Sequence, residues 1–243
     1  MNLKMWMIVS VESETDWPAK EMTVEFSGRT LILRPPRDDC NAAADIRTEY
    51  LHPDGEKDAL NVVFQFLSTI SWWYNCPVFA RSRTACTASS MRFGKDRIGP
   101  ILQFPYLVPE IKTHSDPKVR LALSLYREAR TVRSIPYEFL GYFKVINICY
   151  DSGIKQIEWI NKTVSFLTEL RAKERLNQLA IEPDIGNYMF VSGRCAIAHA
   201  SQNPVVDPDN PNDLFRLSAD MPVVRALAEH LIRQELGVPR FFN

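Results

Sequence analysis

Glycine is scarce in this chain, with nine in 243 residues, and histidine scarcer still, with four. The five cysteines, Cys40, Cys76, Cys86, Cys149 and Cys195, are odd in number and include no C-x-x-C pair. Without a ligand-spaced Cys/His cluster no structural zinc site is expected, and free thiols suit a reducing compartment. No Walker loop, dinucleotide-binding glycine fingerprint or G-x-S-x-G elbow occurs, which removes the common nucleotide-binding and serine-hydrolase classes. The acidic run Asp207–Asp213 lacks the glycine and terminal glutamate of a calcium loop. No apolar stretch reaches membrane-spanning length. Met1–Val11 is apolar, but Lys4 interrupts it, acidic residues follow, and no small-residue cleavage pattern appears. The expectation is a cytoplasmic protein that needs no metal, cofactor or membrane.

Net charge is also missing: 29 Lys and Arg balance 29 Asp and Glu. No global field draws the chain to nucleic acid. The balance is uneven, however, because 112–200 carries 13 basic residues against 9 acidic ones. That stretch can face an anionic partner. A hydrophobic fraction of 46% and a charged fraction of 24% are those of a globular protein long enough for two small domains.

The first half reads as strands around one helix. Met5–Val11 is a strand. Glu21–Phe26 and Thr30–Leu33 alternate about Ser27-Gly28, a hairpin signal. Arg37–Pro53 reads as a loop with a weak strand at Thr48–Leu51. Apolar residues from Ala59 to Ile70 recur at helical spacing and predict an amphipathic helix ending near Trp73, with Asp54 or Asp58 favouring its start. Its Phe66, Leu67, Ile70 and Trp72 are expected to pack on the sheet. Val78–Phe93 reads as strand, turn and strand. Arg81, Arg83, Arg92, Lys95 and Arg97 around it form a solvated sheet edge or, less favoured, a phosphate-binding surface. Ile98–Glu110, with Pro100, Pro105 and Pro109, is a linker.

The second half is helical. Asp116-Pro117 caps a helix that runs to about Ser134 and carries Arg120, Arg127, Arg130 and Arg133 at mostly three- and seven-residue intervals. A solvated face is the default for such a row, and an RNA-backbone track through Arg120, Arg127 and Arg130 is the functional alternative. Pro136 restarts a helix to about Ile148. Ile154–Leu179 is a long amphipathic run with a break expected near Asn161. Pro183-Asp184 opens a helix closed by Asn203-Pro204. Asp207–Asp213 is a loop on composition, and Asp220 precedes a last helix, Met221–Leu236. The fold class is α+β, with an N-terminal α+β domain over 1–111 and a C-terminal helical bundle over 112–243.

The helix opened at Asp184 holds the chemistry. Tyr188-Met-Phe-Val-Ser-Gly-Arg194-Cys-Ala-Ile-Ala-His199 is mostly apolar yet carries an Arg and a His. A guanidinium there needs an anion, an opening to solvent or a second chain, and imidazole suits proton transfer near neutral pH. On a regular helix a spacing of five separates the two by about 140°. Gly193 allows a local bend that brings them back together.

Arg194-Cys-Ala-Ile-Ala-His199 resembles the Arg-x4–6-His motif of the HEPN superfamily, and about Asp116–Leu236 resembles an ApeA-like HEPN bundle. The whole chain is similar to the MauJ-like proteins named for methylamine-utilisation loci. The HEPN resemblance implies a metal-independent endoribonuclease that cleaves single-stranded RNA, in antiphage defence or stress response. Arg194 and His199 would be catalytic, meeting their copies in a homodimer. The residue after the motif Arg is commonly Asn, Asp or His in active HEPN ribonucleases; here it is Cys195. That departure leaves a second reading open, a catalytically inactive module for dimerisation or for binding a partner or RNA.

Overall fold

A computed structural model describes residues 3–13, 17–39, 41–94, 113–201 and 203–240. The expected linker Ile98–Glu110 and the cations Lys95 and Arg97 lie outside these residues. The chain divides into two compact units, Met1–Ser115 with Arg240–Asn243, and Asp116–Pro239. The architecture is α+β, a sheet with one helix followed by a helical region.

In the first unit, β1 (Leu3–Ser13), β2 (Met22–Phe26), β3 (Arg29–Arg34), β4 (Ala44–His52) and β5 (Val78–Cys86) form an antiparallel sheet in the order β2-β3-β4-β1-β5. The Ser27-Gly28 hairpin forms as its sequence indicates, pairing Phe26 with Arg29. Helix α1 (Glu56–Trp73) lays Val63, Phe66, Leu67 and Ile70 on Val9, Leu31, Leu33 and Ile46, and all eight are buried. Phe66 meets Phe26 edge-on at 5.4 Å between centroids.

Two local expectations change, and a third holds in part. The segment read as loop contains β4, nine residues long and hydrogen-bonded to both β1 and β3. Ala88–Phe93 is not a strand; β5 runs unbroken from Val78 to Cys86 instead. Asp58 lies in the first turn of α1, where its charge favours the helix start, whereas Asp54 does not cap it. Gly55 stands at the cap position without a side-chain bond, and Asp58 accepts from Arg29 at 2.8 Å.

One carboxylate explains both changes. Asp45 and Arg47 alternate with Ile46, so they face away from the apolar core that Ile46 enters. Asp45 is fully buried and accepts from three guanidiniums: Arg34 at 3.0 Å on each oxygen, Arg47 at 3.2 Å and Arg92 at 3.2 Å. Arg34 and Arg47 also donate to the Met91 carbonyl, at 2.8 and 2.7 Å. Arg92 donates to the carbonyls of Pro35 and Ala43. Residues 91–94 are thereby held by ion pairs and carbonyl bonds, with single bridges to Ala42 and Ala43, rather than by a strand ladder. Burial pushes the Asp45 carboxyl up from its usual range, and Arg34 and Arg92 pull against that shift.

The second unit comprises α2 (Pro117–Thr131), α3 (Ile135–Asn147), α4 (Gly153–Thr163), α5 (Leu170–Gln178), α6 (Ile185–Tyr188), α7 (Ala196–Ala198) and α8 (Pro211–His230). The Asp116 side chain accepts from the Lys118 amide at 2.8 Å, with Pro117 in the first turn, as the sequence signals. The interruption after α4 falls at 164–169 rather than near Asn161. Helix α8 begins ten residues before the expected start. Asn210 caps it, Pro211 opens it, and Pro222 lies inside it. Asp220, expected just before the helix, is instead buried mid-helix and bound by Arg175 at 2.8 Å and Tyr188 at 2.9 Å.

Asp45→Ala is expected to lower the stability of the first unit by about 3–5 kcal/mol, because it removes the counter-charge of buried Arg47 and of half-buried Arg34 and Arg92. Asp39→Ala, which removes an exposed partner of Arg37, is expected to cost less than about 1 kcal/mol. Denaturant unfolding of the full chain, followed by a probe in the sheet, measures both.

Candidate functional site

The segment carrying Arg194 and His199 starts at Asp184, whose carboxylate accepts from the Asn187 amide at 2.7 Å and from Asn161 at 2.8 Å. These bonds hold its carboxyl below the usual range. After α6 the helix widens into a π-helix over Met189–Cys195, tightens into the single turn of α7, and ends at His199 with φ −129° and ψ 97°. π-turns within helices are frequent at functional sites because they displace side chains from the regular ladder. Here the wide turn before Arg194 and the extended backbone at His199 replace that ladder. The two side chains meet: Arg194 Nη1 lies 3.2 Å from His199 Nε2.

A guanidinium only donates, so Nε2 is the acceptor and the imidazole proton resides on Nδ1 in this arrangement. Arg194 Nη1 also contacts the Cys195 sulfur at 3.7 Å, and its Cζ lies 5.6 Å from the centre of the Phe190 ring. Its Nε is shut off from solvent without an acceptor. Among the described residues no carboxylate pairs with Arg194, so none of them neutralises its charge. A guanidinium beside an imidazole of that tautomer can bind an oxyanion and exchange a proton with it.

Gly193 does more than permit bending. A methyl group there would stand 2.6 Å from two carbons of the buried Phe139 ring, so the π-helix backbone rests directly on α3. The Phe139 ring stacks on Phe143 at 5.5 Å. A methyl group on Gly153, the first residue of α4, would likewise stand 2.6 Å from the Phe190 ring. Phe190 and Gly153 escaped the sequence reading as parts of the site, and Gly193 entered it only as a place to bend. The available signal was an aromatic four residues before the Arg.

Tyr188 anchors the start of the segment. Its hydroxyl donates to Asp220 of α8, which also takes Arg175 of α5. Burial raises both the Asp220 carboxyl and the Tyr188 phenol; Arg175 opposes the first shift, and the Asp220 charge adds to the second.

Arg120, Arg127 and Arg130 are half-buried along α2 rather than projecting as a solvated row. Burial lowers the Arg127 pKa, Arg130 acts on half-buried Glu138, and none of the three is a free cation. In the first unit, Arg81 pairs with Glu12 and Arg92 with Asp45, so neither is uncommitted. Among the described residues no group of three or more His, Cys, Asp or Glu is placed to hold a metal ion, and no helix is long and apolar enough to cross a membrane.

Gly193→Ala is expected to cost about 1–3 kcal/mol, since Phe139 is fully buried and cannot retreat. Gly94→Ala, where the added methyl would find its nearest atom at 3.7 Å, is expected to change stability little. Thermal unfolding of the two variants distinguishes these outcomes.

Comparison with curated proteins and with solved structures finds no match. The family model described as Methylamine utilization protein MauJ matches residues 122–233, which contain both Arg194 and His199. Residues 122–233 are therefore a MauJ-like domain.

Proposed function

We propose that the helical unit is a metal-independent endoribonuclease of HEPN type acting on single-stranded RNA, with Arg194 and His199 as its catalytic residues. The observation that supports this reading is the 3.2 Å approach of an imidazole nitrogen to a guanidinium without a carboxylate partner among the described residues. In the reaction a ribose 2′-oxygen bonds to the adjacent phosphorus as the 5′-oxygen departs, leaving a cyclic phosphate and a free 5′-hydroxyl. His199 takes the proton from the 2′-hydroxyl or supplies one to the leaving oxygen. Arg194 carries the charge that grows on the phosphate. One imidazole does not serve both sides of an in-line displacement, so the proposal includes a homodimer in which two copies of the pair share one site. Arg120, Arg127 and Arg130 are the proposed RNA-backbone contacts. Antiphage defence or stress response is the setting that the HEPN likeness suggests.

A second reading is a non-catalytic module for dimerisation or for binding a partner or RNA. It is favoured by the fact that Nε2, the nitrogen the reaction needs, already accepts from Arg194. Cys195 adds only a weak sulfur contact to that guanidinium.

His199→Ala and Arg194→Ala are each expected to lower cleavage of single-stranded RNA by about 10²–10⁴-fold while the fold persists. Cleavage is expected to survive EDTA and to vanish on an oligonucleotide lacking the 2′-hydroxyl. A divalent-ion requirement, or activity retained in His199→Ala, would contradict the mechanism. Light scattering at micromolar concentration is expected to give a dimer; a strict monomer counts against the shared site.

A further inference from the structure

Arg194 presents an unusual combination, a half-buried guanidinium held in place without a counter-charge among the described residues. A carboxylate would fix such a side chain but would also neutralise it. The contacts found instead are the imidazole of His199, the sulfur of Cys195 and the face of Phe190. Of the three, the aromatic face alone can orient a cation by electrostatic attraction without taking up its N–H donors. The 5.6 Å separation between Arg194 Cζ and the ring centre lies within the range of that attraction.

The ring is itself confined. Gly153 at the start of α4 leaves it room, and a methyl group there would meet ring carbons at 2.6 and 2.9 Å. Neighbouring helix geometry thus reaches Arg194 through one ring. Arg194 Nη1 is directed at His199, its Nε lies out of contact with solvent, and its Nη2 edge has no protein acceptor among the described residues. That edge remains for an oxyanion.

We propose that Phe190 is a positioning residue for this site: seated on Gly153, its ring holds Arg194 at full charge with its Nη2 edge free to receive a phosphate oxygen. The assignment rests on the ribonuclease reading only for the identity of the anion; the positioning is a property of the free protein. Phe190 touches neither the reacting phosphate nor the transferred proton in this scheme, so it acts through Arg194.

The test separates the two claims. The Nε–Hε signal of Arg194 is followed by NMR in the full chain, assigned by its loss in Arg194→Lys. In the native protein the signal is expected to be displaced by the Phe190 ring current. In Phe190→Leu it is expected to move to the ordinary arginine position, whereas Phe190→Tyr, which keeps the ring, retains the displacement. Gly153→Ala, which pushes the ring from below, is expected to shift the same signal and provides a second route should Phe190→Leu fold poorly. On single-stranded RNA, Phe190→Leu is expected to lower kcat about tenfold, within the range seen when a catalytic group loses its alignment, with a smaller change in KM. Phe190→Tyr is expected to restore kcat. An Arg194 signal identical in native protein and Phe190→Leu overturns the positioning role, whatever the RNA assay gives. A signal that follows the ring in a protein that cuts no RNA sustains the positioning role and removes the ribonuclease reading.

Discussion

The backbone of Gly193 lies so close to the Phe139 ring that no side chain fits between them. Everything that makes the Arg–His segment a site depends on that approach. Phe139 is stacked on Phe143 within the core, so α3 offers a rigid floor. The chain resting on that floor is a π-helix, whose wide turn sets Arg194 out of regular register. The backbone then leaves helical geometry at His199, and Val206 returns to donate to the Ala196 carbonyl at 3.0 Å, closing the loop that carries the imidazole. A regular helix would point the two side chains apart; this packing brings them to 3.2 Å.

Both units bury a carboxylate, and each uses it to join elements that apolar packing alone would leave free. Asp45 joins β3, β4 and the segment after β5 through three arginines. Asp220 joins α8 to α5 through Arg175 and to α6 through Tyr188, with Arg216 approaching at 3.8 Å. Buried carboxylates of this kind destabilise a fold strongly when left unpaired, so their partners are constrained to stay. Arg194 differs from Arg34, Arg47, Arg92 and Arg175 in having no such acid among the described residues. Its charge is directed outward, at whatever anion the site receives.

Short-range chemistry made much of the fold legible. Ser27-Gly28 marked the hairpin, Asp116-Pro117 the start of α2, and the spacing of Phe66, Leu67 and Ile70 the face of α1 that meets the sheet. What stayed hidden depends on contacts distant in sequence. β4 reads as loop because Asp45 and Arg47 look solvated, and two groups they bind, Arg92 and the Met91 carbonyl, are more than forty residues away. The early start of α8 is obscured by Pro211 and Pro222, the first acceptable in an opening turn and the second ordinarily a breaker. At the site, the Arg and His were legible as a pair of unusual residues on an apolar helix. Their convergence was legible as what a bend at Gly193 would allow; the π-turn and the ring beneath it were not, because a π-turn has no periodicity of its own and Phe139 lies 54 positions before Gly193.

The central claim is that Arg194 and His199 act as one unit, with Nε2 of the imidazole facing the guanidinium. Nitrogen-15 NMR of the His199 ring, recorded above the titration range of imidazole, tests it most directly. The account predicts the Nδ1–H tautomer in the native protein and a clear change in the Nε2 signal in Arg194→Ala. An Nε2–H tautomer, or a spectrum that Arg194→Ala leaves unchanged, would contradict it.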